Sequence, residues 1–157
     1  MPFSIDAGMV EVLGVCEKAE FACAELYHLF ADLFKDDREI FYLWLRTALE
    51  EENRARLFAL MAKLRHDNII ASVVLEMEQA EDTLQHIRGL MAELKEKPPT
   101  LREALQIGME LETRLDRLMR QNVVKFADET YEKSFLAITN SKRLELLQEA
   151  CQRLAVA

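Results

Sequence analysis

Turn-forming residues are scarce in this chain: its 157 residues include four glycines and three prolines. Average usage would give roughly 19 of the two together, and a β-rich fold needs turn residues about every 8–12 positions. The chain is therefore expected to run in long helices with few breaks. Hydrophobic residues make up 50% and charged residues 31%, a globular balance. The length is one domain's worth, enough to fold without disulfides or metal. A net charge of −8 argues against nucleic acid and anionic membrane as partners.

The breaks divide the chain into five expected helices. Ser4, Ile5 and Asp6 precede the first, which ends near Phe34 and Lys35. Asp36 and Asp37 cap a second, from about Arg38 to Arg65, and His66, Asp67 and Asn68 interrupt the pattern. A third runs from about Ile69 to Lys95 and stops before Pro98 and Pro99, because a residue before proline disfavours the helical region. Thr100, with Glu103 in the capping-box position, opens a fourth reaching about Lys125. The fifth spans roughly Ser134 to Leu154. Such helices pack as an all-α antiparallel bundle, with the first, second, fourth and fifth at its core.

The third helix carries Ile70, Val73, Met77, Ala80, Leu84, Ile87, Met91 and Leu94 at 3-4 spacing. That seam either packs on its own bundle or buries itself against a second copy. A homodimer through about residues 69–95 is expected. Cys16, Cys23 and Cys151 form no C-x-x-C pair and sit among apolar helical neighbours, as small hydrophobes of a reducing compartment. The N-terminus lacks the basic-then-apolar order of a signal peptide, and no stretch of about 18 residues is free of charge. The expectation is a cytoplasmic protein.

Three carboxylates stand on apolar faces. At ~100° per residue, Glu20 shares a stripe with Leu13, Cys16, Ala24, Tyr27 and Ala31. Glu51 lies with Ile40, Trp44, Ala48, Ala55, Phe58 and Ala62. Glu112 lies with Leu101, Leu105, Gly108, Leu115, Met119 and Val123, while Glu110 faces the other way. A lone buried carboxylate is costly, so each needs a cation or donor. Glutamate is also a good helix former, and one such residue would mean little. Three at matching depth on separate bundle helices point to a gathered site, for which a two-metal centre is the usual reason.

The second half of the chain weakly repeats the first: AEFACAELYHLFA, from Ala19, parallels LETRLDRLMRQNV, from Leu111. With Glu20, Tyr27, Phe30 and Ala31, then Ala48, Glu51, Arg54 and Ala55, then Ala104, Leu105 and Glu112, the chain resembles the rubrerythrin-like branch of the ferritin-like superfamily. The resemblance implies a four-helix bundle with a long crossover and a di-iron centre that reduces peroxide or oxidises ferrous iron. It also places a histidine where this chain has Arg54, and Glu-x-x-His where it has Asn140 and Arg143.

Arginine has no lone pair to give a metal. Three carboxylates then face two guanidiniums, which can replace the metals' charge as bidentate partners. No cofactor is expected on this reading; iron or another divalent metal is the alternative. The expected network is Glu20, Glu51, Glu112, Arg54, Arg143 and Asn140. His28, ~80° from Glu20 around its helix, is a boundary histidine or a substitute ligand. Asp116, one turn after Glu112, is a further ligand or a partner for Arg143. No phosphate loop, nucleophile elbow or zinc-ligand spacing is present. The expected function is non-catalytic binding or a structural role, with a remodelled metal-dependent oxidoreductase as the alternative.

Overall fold

The computed structural model describes residues 7–64, 70–120, 124–139 and 143–154. The protein is mostly helical: α1 (Ala7–Leu33), α2 (Arg38–Lys63), β1 (Ile70–Val73), α3 (Met77–Glu96), α4 (Leu101–Leu115), a π-turn (Asp116–Arg120), β2 (Val124–Phe126), α5 (Glu129–Thr139) and α6 (Arg143–Leu154). No helix among the described residues is long and apolar enough to cross a membrane.

Local chemistry sets the helix starts. The Asp37 side chain accepts hydrogen bonds from the Glu39 and Ile40 amides at 3.1 and 3.3 Å, opening α2. Thr100 and Glu103 form the complete capping box that opens α4. Both devices satisfy amide groups that a helix's first turn leaves without internal partners. Ahead of the proline pair, α3 ends at Glu96.

The second half of the chain departs from the five-helix expectation in three places. First, Ile70–Val73 is a strand paired antiparallel with Val124–Phe126, with an irregularity between Ile70 and Ser72. Its β-branched residues suit a half-buried strand as well as a helix, and the distant partner decides between the two. Second, α4 stops at Leu115 and gives way to the π-turn, so no α-helix continues to Lys125. Third, the expected fifth helix comprises two helices, α5 and α6. Ser4, Ile5, Asp6, the break at His66, Asp67 and Asn68, and Asn140 lie outside the described residues.

The core centres on α1, whose Leu13, Cys16, Cys23, Leu26, Tyr27 and Phe30 are all fully buried. α2 packs along it on one side and α3 on another, while α4 pairs with α6. Tyr27, Phe30 and Trp44 make an aromatic knot, with ring centroids 4.9 Å apart for Phe30 and Trp44 and 5.5 Å for Tyr27 and Trp44. Gly108 lets α4 approach this knot: a Cβ there would stand 3.1 Å from Trp44 Cη2 and 3.3 Å from Leu147 Cδ1. Residues from α1, α2, α4 and α6 thus meet in one interior.

The seam on the third helix finds its cover within the chain. Ala80, Thr83, Leu84 and Ile87 are buried, and Ile87 and Met91 line a small cleft with Phe21 and Ala22 of α1. Ile70 and Val73 belong to β1 instead. Part of the apolar stripe expected at residues 69–95 thus packs on α1.

Candidate functional site

Each of α1, α2 and α4 sends one glutamate inward at the depth its apolar stripe dictates. Glu20 and Glu51 are fully buried and Glu112 is 1% exposed, whereas Glu110 is exposed. Glu51 and Glu112 meet at Cys23 of α1: one ligand-type atom from each of the three lies within 4.8 Å of the others. The Tyr27 hydroxyl closes the group, donating to Glu112 Oε1 at 3.2 Å, with the Gly108 carbonyl 3.4 Å away.

The thiols report the field of these acids. Burial first, then the charges of Glu51, Glu112 and Glu20, pushes the Cys23 thiol well above its ordinary range. Burial followed by Glu20 does the same to Cys16. Tyr27 is raised by burial, then by the charges of Cys23, Glu112 and Glu51. Each shift favours the protonated thiol or phenol, and the Tyr27 hydroxyl is a donor to Glu112.

Arg54, one turn beyond Glu51, is buried at 5% exposure. Its Nη1 pairs with Asp116 Oδ1 at 3.5 Å, and Asp116 is about one-third exposed. Asp116 opens the π-turn that follows α4. The ion pair therefore links α2 to the segment just beyond α4, one helical turn from Glu51 and Glu112.

Glu20, Glu51, Glu112 and Arg54, all expected to face inward, are buried. Asp116, expected as a ligand or as a partner for Arg143, pairs with Arg54. His28 pairs with Glu52 at 3.0 Å, its side chain 40% exposed, so it is the boundary histidine and not part of the acid cluster. The side chain of Arg143, like Asn140, lies outside the described residues. Cys23 was read as a packing residue only. Its position three residues after Glu20, on the neighbouring edge of the same face, was the available signal.

Two irons in the arrangement the resemblance implies require imidazoles beside four carboxylates. Among the described residues, the groups gathered here are the carboxylates of Glu51 and Glu112, the Cys23 thiol and the Tyr27 phenol, with Glu20 buried on α1 and the Arg54 guanidinium one turn beyond Glu51. Among the described residues that set holds no imidazole, Arg54 offers no lone pair, and His28 pairs with Glu52, so these residues by themselves do not fit a di-iron centre. Comparison with protein-family models, curated proteins and solved structures finds no match to this chain.

Proposed function

We propose that this chain is a ferritin-like, rubrerythrin-related bundle whose di-iron centre has been lost, and that it acts as a non-catalytic binding or structural protein. The observation that carries this reading is the buried Arg54, standing one turn after Glu51 where the resemblance puts a histidine ligand. A fixed positive charge there repels a metal from that position and offsets part of the charge of the gathered acids. The burial of Glu20, Glu51 and Glu112, with Glu51 and Glu112 drawn together at Cys23, supports the ancestry half of the reading.

The rival, a remodelled oxidoreductase, would recruit His28 and Asp116 as ligands, and these two are committed to Glu52 and Arg54. Metal analysis of protein expressed in iron-rich medium tests the proposal. The expected content is far below two irons per chain, and two per chain would overturn it. A constructive test is the variant Arg54→His, Arg143→His, Asn140→Glu. Gain of iron or manganese by this triple variant, absent in the parent, supports a vacated centre. A folded variant that gains none refutes the assignment of the last helix.

A further inference from the structure

α2 is apolar on two sides. Its inner face buries Trp44, Ala48, Ala55 and Phe58. On the opposite side, Tyr42, Leu49 and Leu60 fall within about 20° of one line along the helix, at ~100° per residue. These three are 55%, 47% and 48% exposed, and they are half of the six exposed large hydrophobics among the described residues. The positions between them complete a seam: Tyr42, Arg46, Leu49, Asn53, Arg56 and Leu60 follow at steps of 4, 3, 4, 3 and 4. That alternation keeps one face of a helix turned to a partner helix, here over about three heptads. The comparable seam of α3 packs in part on α1, whereas this one is open.

The charges beside the seam are paired along the helix. Arg46 Nε lies 3.7 Å from Glu50 Oε1, and Arg56 Nη2 lies 4.0 Å from Glu52 Oε2. Glu50 and Glu52 stand about 80° to either side of the Tyr42 line, each on the side of its own arginine. The guanidiniums are thus held toward the flanks, and their aliphatic stems are left to cover the seam. Two cations balanced by two acids do not select a strongly charged partner such as an anionic membrane or nucleic acid. They suit a surface that carries both signs in the same arrangement, which a copy of this face does.

We infer that the outer face of α2 is a self-association surface, on which α2 of a second copy lies antiparallel. A two-fold axis at the level of Glu51 sets Tyr42 against Leu60 of the second copy and Leu49 against its Asn53, each contact occurring twice. It also brings Lys63 to Glu39 of the second copy, a residue that on its own chain pairs with Arg153. Arg46 meets Arg56 near the axis, where each copy contributes two arginines and the two glutamates that hold them. Parallel pairing would set every seam residue against itself, arginine on arginine and Lys63 on Lys63, with no opposite charge across from it. Asn53 in an otherwise apolar layer fixes the register at some cost in affinity. The inference goes beyond the lost-di-iron reading and does not depend on it. It places the two-fold contact on α2 in place of the one expected at residues 69–95.

Sedimentation velocity of the full-length chain tests this, with a reversible dimer of dissociation constant on the order of 10 μM expected. Leu49→Arg, at a position 47% exposed in the single chain, should weaken the dimer at least about tenfold and leave the helix content unchanged. Ala92→Lys, on the exposed side of α3, should not affect it. Cross-linking under mild oxidation in a Cys151→Ala background reads the orientation. Tyr42→Cys combined with Leu60→Cys should give a disulfide-linked dimer, and neither alone should, because like positions then stand about 27 Å apart along the helix. If Leu49→Arg fails to fold, the cross-link carries the test. A chain that stays monomeric at ~100 μM overturns the inference, as does a dimer broken by Ala92→Lys but not by Leu49→Arg. A cross-link from a single cysteine variant overturns the antiparallel arrangement. A monomer that binds anionic lipid vesicles and loses them with Leu49→Arg overturns self-pairing in favour of a membrane surface. Each of these outcomes leaves the lost-di-iron reading to its own metal analysis.

Discussion

Arg54 Nη1 lies 3.5 Å from Asp116 Oδ1, tying the middle of α2 to the first residue beyond α4. The two side chains differ in their surroundings, Arg54 being 6% exposed and Asp116 36%. Arg54 therefore needs its partner more than Asp116 does. The pair also sits one turn along from Glu51 on one helix and from Glu112 on the other, so it caps the acid cluster at one end.

Replacing Arg54 with alanine should cost about 3–5 kcal/mol, the usual penalty for breaking a buried ion pair. The lower part of that range is expected, because water can reach Asp116. Urea unfolding of Arg54→Ala measures it. A loss below about 1 kcal/mol would be that of a surface pair and would contradict the buried placement.

Tyr27→Phe removes the hydroxyl that donates to Glu112 Oε1 while keeping the ring in the aromatic knot. A hydrogen bond to a charged group contributes about 1.5–3 kcal/mol, and a loss of that size is expected in the same assay. An unchanged midpoint would mean that Glu112 finds another donor.

Glycine-to-alanine exchanges on two helices should have opposite signs. At Gly89 of α3 an added Cβ meets nothing within 4 Å, so the exchange should gain up to about 1 kcal/mol of helix propensity. At Gly108 the same gain is opposed by the fully buried Trp44 ring 3.1 Å away, and overpacking costs about 1–3 kcal/mol. Gly108→Ala should therefore lower the thermal midpoint while Gly89→Ala raises it. Equal increases would show that the Trp44 ring gives way.

Stability should fall on the alkaline side. Cys16, Cys23 and Tyr27 are all raised in the folded state, from ordinary values of 9.0 for the thiols and 10.0 for the phenol. Their contribution is complete below those values and is lost as pH rises through and above them, because only the unfolded chain then releases the protons. Each group contributes a slope of about 1.4 kcal/mol per pH unit. Urea midpoints should drop steeply from pH 9 to 10.5, and Cys16→Ala with Cys23→Ala should flatten that slope. A parent chain with constant midpoints over this range would show thiols open to water.

Several features were legible because they are properties of one helix at a time. The shortage of glycine and proline dictated helices. Asp37, Thr100 with Glu103, and the proline pair marked where α2, α4 and α3 begin or end. The 3.6-residue period put Glu20, Glu51 and Glu112 on buried faces, and the structure buries all three. These outcomes depend on chain geometry and on the cost of exposing apolar surface, which act within a few turns.

Tertiary structure decided what depends on meetings between distant segments. Ile70–Val73 had a helical spacing and β-branched residues, and pairing with Val124–Phe126 made it a strand. The π-turn after Leu115 changes the phase of the chain where Asp116 turns to Arg54. Cys23 looked like packing until Glu51 and Glu112 arrived from two other helices. A sequence period says which face of a helix is buried. It does not say which side chain of another helix will stand opposite, because that is set by how whole helices dock, and there small differences in packing choose the partner.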